Sequence, residues 1–264
     1  MSVLGHGPAR RWLNLAVEIA LPVLVLALWW FGSAHSEEIF FPPLARILRS
    51  FHDTWLAASA TSDLLPSLRR LAIGYAIAVA LGIGLGTLLG LWRVARRAAD
   101  PIVEFLRAIP PPALLPFGIL VFGIGDFMKV LMIATVCLWP VLLNTIDGVG
   151  GIDPTLRDTT RVYGIPLTSR LVFVTLPAAA PQIFAGARTG LSLSIIMMVI
   201  SEMVASTNGV GYQILQSQQT FRIADMWAGI LMLGVLGYLL NALFLLVEHR
   251  VIAWHRAAHT GEHR

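Results

Sequence analysis

Two long stretches of this sequence contain no charged residue, and they limit what the chain can fold into. They cover residues 71–92 and 226–247, and each is longer than the ~18 apolar residues that indicate a membrane-spanning helix. Charged residues make up only 13% of the chain, about half the ~25% of a typical soluble domain. Such a chain cannot cover a water-facing surface of its own. The sequence therefore predicts an all-α, polytopic membrane protein.

Apolar runs of similar length predict six transmembrane helices in all. In chain order they cover residues 13–32, 71–92, 101–122, 127–146, 183–204 and 226–247. The first run follows Arg10 and Arg11, as the apolar part of a cleaved signal peptide does. However, it ends in the aromatic residues Trp29, Trp30 and Phe31, which are typical of a membrane interface. We therefore expect the first helix to be retained.

Arginine residues are distributed unequally between the two ends of the predicted helices. If the N-terminus lies inside, the inner segments hold more lysine and arginine than the outer segments, which is the bias that cytoplasmic loops show. Both termini are therefore predicted to be cytoplasmic, as tails 1–12 and 251–264 around a transmembrane domain at 13–250. The basic residues bracket apolar runs and form no patch, so we expect no nucleic-acid partner. The single cysteine, Cys137, excludes an internal disulfide and a cysteine metal cluster.

Small residues and prolines predict where the helices pack closely and where they bend. Gly82, Gly86 and Gly90 recur at a spacing of four, which lets two helices approach closely in lipid. The three prolines at 110–112 cannot lie inside a straight helix, so the third span is expected to be kinked or broken. Such breaks are tolerated at membrane depth only against protein or a water-filled cavity.

The segment at 33–67, between the first two spans, is predicted to lie outside the membrane. Leu44, Ile47, Phe51 and Trp55 recur there at helical spacing. We expect a short amphipathic helix on the outer membrane face, where anchoring to the interface is favoured over docking of an external partner.

The longest predicted cytoplasmic connection, at 147–182, has the signals of two short helices. Asp153 is a good N-cap, and Pro154 follows it at the first helical position. Gly164 can end this helix in a left-handed conformation, and a second short helix is predicted to close at Leu176 and Pro177. Such a helical hairpin is either a surface feature without a partner or an element that enters a groove on a soluble protein.

The segment RDTTRVYGIPLTSRLVFVTLP, residues 157–177, resembles the EAA loop of the permease subunits of ABC importers. In that family an acidic residue and two alanines are followed, at fixed spacing, by a glycine, an isoleucine and a Leu-Pro pair. The corresponding residues here are Asp158, Gly164, Val174, Leu176 and Pro177, and every spacing matches. Thr159 and Thr160 replace the two alanines, which leaves the acid and the turn in place.

Other segments are similar to the subfamily that transports sulfonates, taurine and nitrate. They are SLRR at 67–70, DPIVEFLRAIPPPALLPFGILVFGIG at 100–125, NTIDGV at 144–149, LPAAAPQIFAGAR at 176–188 and the segment around Glu202. The resemblance implies the type I ABC importer transmembrane fold with a cytoplasmic coupling helix. It also implies a location in the bacterial inner membrane and transport of a small anionic solute.

By the same resemblance, two permease copies form a homodimer in the lipid bilayer, enclose one pathway and bind two ATP-binding subunits. A periplasmic or lipid-anchored binding protein delivers the solute. The coupling contact to the ATPase is assigned to Asp158, Thr159, Thr160, Tyr163, Gly164, Ile165, Pro166, Leu176 and Pro177. The sequence contains no G-x-x-x-x-G-K-[ST] loop. ATP and Mg²⁺ are therefore expected on the partner, with no cofactor and no catalytic residue on this chain.

Polar residues within the spans are the candidates for the translocation pathway, and we select Ser201, Glu202 and Asn144. Glu202 has two interpretations: part of an outer gate, or a structural ion-pair partner for the arginines at 69–70, which lie at the same membrane level. Packing between helices is the favoured role of Asn144. The glycine-rich loop NGVGY at 208–212 is interpreted as an outer turn near the binding-protein surface.

Two other classes of protein fit the sequence less well. An ion-coupled secondary transporter or channel needs ionisable residues near the bilayer midplane and paired broken helices, whereas the acidic residues here lie near span ends. An intramembrane enzyme needs a nucleophile and a base, but all seven histidines lie in the tails or the outer loop. The permease interpretation is therefore preferred to both.

Overall fold

Helices account for nearly all of the chain that can be described. The computed structural model describes residues 20–252 apart from 22, 26, 35, 37 and 59. The helices are α1 Val23–Ser33, α2 Leu44–Phe51, α3 Leu65–Leu91, α4 Arg93–Arg107, α5 Leu115–Phe122, α6 Asp126–Gly150, α7 Pro154–Val162, α8 Leu167–Arg170, α9 Leu176–Val204, α10 Val210–Gln219 and α11 Ile223–Val251. No β-strand occurs among these described residues, so the all-α prediction is confirmed.

Four continuous helical stretches in the described chain are long and apolar enough to cross a membrane. They are Thr61–Leu91, Asp126–Gly150, Leu167–Val204 and Ile223–Val251. A fifth crossing is possible if α4 and the stretch Pro111–Phe122 act together, although an angle of 83° separates them. Only α1 represents the predicted first span, whose residues before 20 lie outside the described part of the chain. The structure thus supports four or five of the predicted spans, and the number six stays a prediction.

The predicted third span is broken rather than continuous. Helix α4 already begins at Arg93, one residue after α3 ends, and not at the predicted position 101. Pro110 is extended, with φ −60° and ψ 121°, because three successive prolines remove backbone donors and clash with the preceding turn. The chain then turns sharply into α5. The expected break is confirmed, and its cause is the proline run.

The core of the fold is a seam between α3 and α6, and α9 packs against α6 as well. The seam brings α3 glycines against α6 side chains in the pairs Gly82–Val141, Gly86–Thr145 and Gly90–Val149. A Cβ atom on any of these glycines would lie only 2.5–2.7 Å from the facing side chain. The α6 side chains therefore pack directly on the α3 backbone at these glycines, which is the close helix approach that the glycine spacing predicted.

The predicted amphipathic helix exists as α2, but its apolar face meets protein. Leu44 and Ile47 of α2 are buried. Trp55, in the π-helical segment His52–Ala58 that follows α2, is also buried and packs in a cluster with Val210 and Ile214 of α10. The prediction that this helix lies on the outer membrane face missed these contacts. They were missed because the helical period of the sequence identifies an apolar face but does not show whether lipid or protein covers it.

The second arm of the loop hairpin is not a separate helix. From Leu167 the chain stays helical to Val204, so the predicted closure at Leu176 and Pro177 is wrong. A π-helical segment at Leu171–Thr175 directly precedes Pro177. Since a π turn widens the helix locally, it accommodates the proline ring that would otherwise clash with the previous turn.

Candidate functional site

The first arm of the loop hairpin, α7, is held by local signals at both ends. The Asp153 carboxylate accepts a hydrogen bond from the Thr155 backbone N–H at 2.8 Å. At the other end Gly164 has φ +65°, and its N–H donates to the Arg161 carbonyl at 3.0 Å. The N-cap and the left-handed glycine therefore both stand where the sequence predicted them.

The hairpin exposes large apolar side chains at its tip and along its second arm. Val162 is 85% exposed, Tyr163 79% and Phe173 77%. Leu156 and Leu167 are also exposed. Several large apolar side chains exposed within one short segment are typical of a protein–protein contact. The hairpin can therefore insert apolar side chains into a groove on another protein.

The predicted coupling residues divide between the two sides of the hairpin. Asp158 and Thr159 are exposed, and the Asp158 carboxylate pairs with Arg161 at 3.3 Å. Thr160 is buried, and its hydroxyl donates to the Arg157 carbonyl at 2.7 Å. It supports α7 from within. Apart from Tyr163 and Gly164, described above, the other predicted coupling residues lie at the turn or in the second arm: Ile165, Pro166, Leu176 and Pro177.

A buried charged cluster lies at the opposite end of the helical bundle. Glu202, near the end of α9, has no exposed surface. Its carboxylate accepts a hydrogen bond from Arg70 Nη1 of α3 at 2.8 Å. The Ser67 hydroxyl lies 2.8 Å from each carboxylate oxygen. The ion pair is thus formed between two neighbouring helices and is closed to solvent.

Arg70 connects this pair to two further parts of the chain. Its Nε donates to Asp126 at the start of α6, at 2.7 Å, and Arg69 contacts the same carboxylate. The two terminal nitrogens of Arg70 donate to the backbone carbonyl of Asn208 at 3.2 Å and to its side-chain oxygen at 2.5 Å. One guanidinium, 3% exposed, therefore ties together α3, α6, α9 and the loop before α10. Planar guanidinium groups are well suited to such multiple contacts.

The N-terminus of α10 completes the cluster. The Gly211 N–H donates to Glu202 at 3.1 Å, and the Gly209 N–H donates to Asp63 at 2.9 Å. Gly209 has φ +117°, and a Cβ atom there would lie 2.5 Å from the Glu202 carboxyl carbon. Free N–H groups at a helix start favour nearby negative charge. The loop at 208–212 is therefore packed on the buried acid, which its interpretation as an outer turn did not include.

Comparison with known proteins decides the family. The sequence pattern of the family described as "Binding-protein-dependent transport system inner membrane component" matches residues 78–253, which is more than half of the chain. The chain belongs to this family. It is accordingly a multi-pass membrane protein, and its long apolar helices are membrane spans.

Relatives of this inner-membrane component match between 70% and 94% of its length. It is 30% identical to the putative aliphatic sulfonates transport permease protein SsuC of Bacillus subtilis, over 94% of this chain and 90% of that protein. It is 30% identical to the taurine transport system permease protein TauC of Escherichia coli, over 92% and 90%. The nitrate import permease protein NrtB of Leptolyngbya laminosa is 33% identical over 70% of this chain and 67% of NrtB.

Solved structures support the fold. The inward-facing MetNI methionine ABC transporter matches with a TM-score of 0.62 at 20% identity, covering 72% of this chain and 94% of that chain. A second crystal form of the same transporter gives 0.61 at 18% identity. The type I importer fold expected from the EAA resemblance is therefore present.

The other two predicted pathway residues of this inner-membrane component do not join the charged cluster. Ser201 is buried and donates within its own helix to the Met198 carbonyl at 2.9 Å. Asn144 donates to the Pro140 carbonyl at 2.8 Å and packs against Gly186 of α9. Both side chains bond to the backbone of their own helix, and Asn144 also packs between α6 and α9, which agrees with the packing role favoured for it.

Several residues of the cluster were missed from the sequence: Asp63, Ser67, Asp126, Asn208 and Gly209. Lys129 was missed as well; it is 3% exposed, and its positive charge interacts with the carboxylates of Asp126 and Glu202. One signal was available, because Ser67, Arg70 and Gly74 share the buried face of α3. That helical register selects Arg70 over Arg69 as the inward-facing arginine.

Proposed function

We propose that this chain is the permease subunit of an ATP-driven ABC importer, and that two copies enclose a pathway for a small anionic solute such as a sulfonate, taurine or nitrate. A periplasmic or lipid-anchored binding protein delivers the solute, and two separate ATP-binding subunits supply the energy. The relatives named above are permeases for these solutes. The observation that carries the proposal is the family match. The solvent-exposed apolar side chains at the tip of the hairpin support it.

The continuous helix from Leu167 to Val204 suggests how force would travel. It has 38 residues, which corresponds to about 57 Å at ~1.5 Å per residue. One end forms the second arm of the hairpin, and the other end carries Glu202. Movement of the hairpin by an ATPase would therefore displace the helix that holds the buried charged cluster. The π segment at Leu171–Thr175 is the place where this helix would flex.

The remaining assignments follow the same proposal. The chain would have six spans within 13–250, with short cytoplasmic tails at both ends. It would be non-catalytic, with ATP and Mg²⁺ bound by the partner subunit. The coupling residues would be those of the hairpin, with Asp158, Tyr163 and Gly164 at its exposed side. The relatives and structural neighbours favour this reading over an ion-coupled transporter or channel.

Substitution of Gly164 by aspartate is expected to uncouple the permease from its ATPase. Space for a side chain is available at Gly164, but φ +65° disfavours any L-residue, and the turn between the arms would change. We expect at least about tenfold less ATPase subunit to co-purify, equivalent to ~1.4 kcal/mol. Solute-dependent ATP hydrolysis in proteoliposomes should fall with it.

Gly123 provides a matched control for this experiment. It also has positive φ, +73°, with ψ −178°, a conformation that is at least as unfavourable for an L-residue, and a Cβ atom there would meet nothing within 4 Å. It lies at the opposite end of the bundle, before α6. Gly123→Asp should leave co-purification unchanged. If Gly164→Asp retains the ATPase and supports ATP-dependent uptake, the docking assignment is wrong. Uptake that proceeds without ATP would instead favour an ion-coupled transporter.

A cysteine in place of Tyr163 tests the orientation of the hairpin. Tyr163 is largely exposed, whereas the native Cys137 is fully buried and should not react. A membrane-impermeant maleimide is expected to label Tyr163→Cys in inside-out vesicles and not in intact cells. The reverse pattern would place the hairpin outside the cell and contradict the coupling role.

A further inference from the structure

A basic cleft opens beside the loop hairpin, at the end of the bundle opposite the buried charged cluster. Its volume is about 760 Å³. Its charged lining residues are Arg93, Arg96, Asp147, Arg157, Asp158 and Arg161. They come from the start of α4, the end of α6 and the length of α7. The cleft therefore lies where three helices meet, and arginines predominate in it.

Two of the four arginines are neutralised within the cleft, and two are not. Arg96 pairs with Asp147 at 3.1 Å, and Arg161 pairs with Asp158 at 3.3 Å. The side chain of Arg93, the first residue of α4, forms neither an ion pair nor a hydrogen bond with any described residue.

Arg157 is the second uncompensated arginine. It donates through a terminal nitrogen to the Val149 carbonyl, but its Nε is buried without a partner among the described residues. No described carboxylate pairs with it. Among the described residues, the cleft thus keeps two arginines without a carboxylate partner, and the buried Nε of Arg157 lacks an acceptor. A buried donor without an acceptor is unfavourable.

The rim of the cleft is apolar on one side. Leu91, Trp92 and Val94 line it and are 41%, 59% and 70% exposed. They lie where the span Thr61–Leu91 ends, and tryptophan at the end of a span is typical of the lipid headgroup level. The cleft therefore presents arginines next to exposed apolar side chains.

We infer that this cleft binds the phosphate headgroup of an anionic phospholipid. Guanidinium groups match phosphate oxygens in charge and geometry, and basic pockets between membrane helices bind anionic headgroups. The apolar rim favours a lipid over a free phosphate ion, because acyl chains would cover Leu91, Trp92 and Val94. Such a lipid would bridge α4 and α7. Because Arg157, Asp158 and Arg161 belong to the hairpin that is proposed to bind the ATPase, the lipid site is tested in the purified chain without the ATPase.

Native mass spectrometry of the purified full-length chain tests the site. The probes are dioctanoyl phosphatidylglycerol, dioctanoyl phosphatidylcholine and inorganic phosphate, each titrated separately. We expect phosphatidylglycerol to bind with at least about tenfold higher affinity than phosphatidylcholine. Arg93→Gln combined with Arg157→Gln should remove this preference. Arg93→Gln alone should weaken it, and this single variant keeps the test valid if Arg157 is needed for folding.

The control variant removes the same charge elsewhere. Arg46 and Arg49 are exposed residues of α2 at the other end of the bundle, so Arg46→Gln with Arg49→Gln should leave the preference intact. Equal binding of both lipids in every variant would overturn the proposal. So would displacement of phosphatidylglycerol by millimolar phosphate, which would identify a free-phosphate site. Loss of ATPase co-purification in Arg93→Gln, with unchanged lipid binding, would identify a protein contact instead and equally overturn it.

Discussion

Replacing Glu202 with alanine is expected to remove much of the folded protein from the membrane. Glu202 is fully buried and holds the guanidinium of Arg70, which is 3% exposed. Breaking a buried ion pair from one side costs about 3–5 kcal/mol. Asp126 stays within reach of Arg70, so we expect about 3 kcal/mol. That is a large part of the ~5–15 kcal/mol by which a typical protein is stable.

The measurement is the amount of chain in membranes, together with its melting temperature in detergent. Glu104→Ala is the matched control, because Glu104 also pairs with an arginine, Arg107 at 2.5 Å, but is 59% exposed. An exposed pair contributes only about 0–1 kcal/mol, so this variant should accumulate and melt almost normally. A double change of Arg70 and Glu202 to methionine and leucine should recover part of the loss, since neither partner of the pair is then left buried without the other.

The same variant separates the two interpretations of Glu202. The geometry is that of a structural ion pair, closed to solvent and capped by the N-terminus of α10. Normal abundance and melting of Glu202→Ala, with transport lost, would contradict this structural role and assign Glu202 to the outer gate. Reduced abundance with proportionally reduced transport would support it.

The parts of the fold that sequence predicted well are those fixed over short distances along the chain. The long uncharged runs correspond to α3 and α11, and the glycines at a spacing of four correspond to the α3–α6 seam. Asp153 caps the start of α7, and Gly164 follows its end with positive φ, as expected. Each of these features depends on a helical period or on one residue's backbone preference, both of which can be read locally.

The parts that sequence missed depend on contacts between distant segments. Arg70 meets Asn208 across a separation of 138 residues, and no local pattern specifies that contact. The ion pair between Arg70 and Glu202, 132 residues apart, was one of the two interpretations of Glu202 that the sequence allowed. The continuity of the helix through Pro177 was missed because a proline normally stops a helix, whereas a π segment accommodates it here. The outer helix α2 was assigned to the membrane surface because an apolar face looks the same whether lipid or protein covers it.

The double substitution Gly82→Ala and Gly86→Ala is expected to separate α3 from α6. A Cβ atom at Gly82 would lie 2.7 Å from Val141, and one at Gly86 would lie 2.5 Å from Thr145. Both neighbours are β-branched and cannot easily rotate away, so the helix backbones must move apart. Overpacking typically costs about 1–3 kcal/mol at each position, and we expect a loss of ~2–6 kcal/mol, seen as a lower melting temperature in detergent.

Gly84 lies between these two glycines and makes the test specific to the seam. A Cβ atom at Gly84 would meet nothing within 4 Å, so Gly84→Ala should be neutral or stabilising by about 0.5–1 kcal/mol, because alanine is the better helix former. Opposite effects of one added methyl group at neighbouring positions cannot come from helix propensity, which favours alanine at all three. Opposite effects require that α6 side chains lie close to positions 82 and 86 but not to position 84. If the double variant melts like the wild type, α3 and α6 are not packed along this face, and the position of Arg70 beside Glu202 loses its support as well.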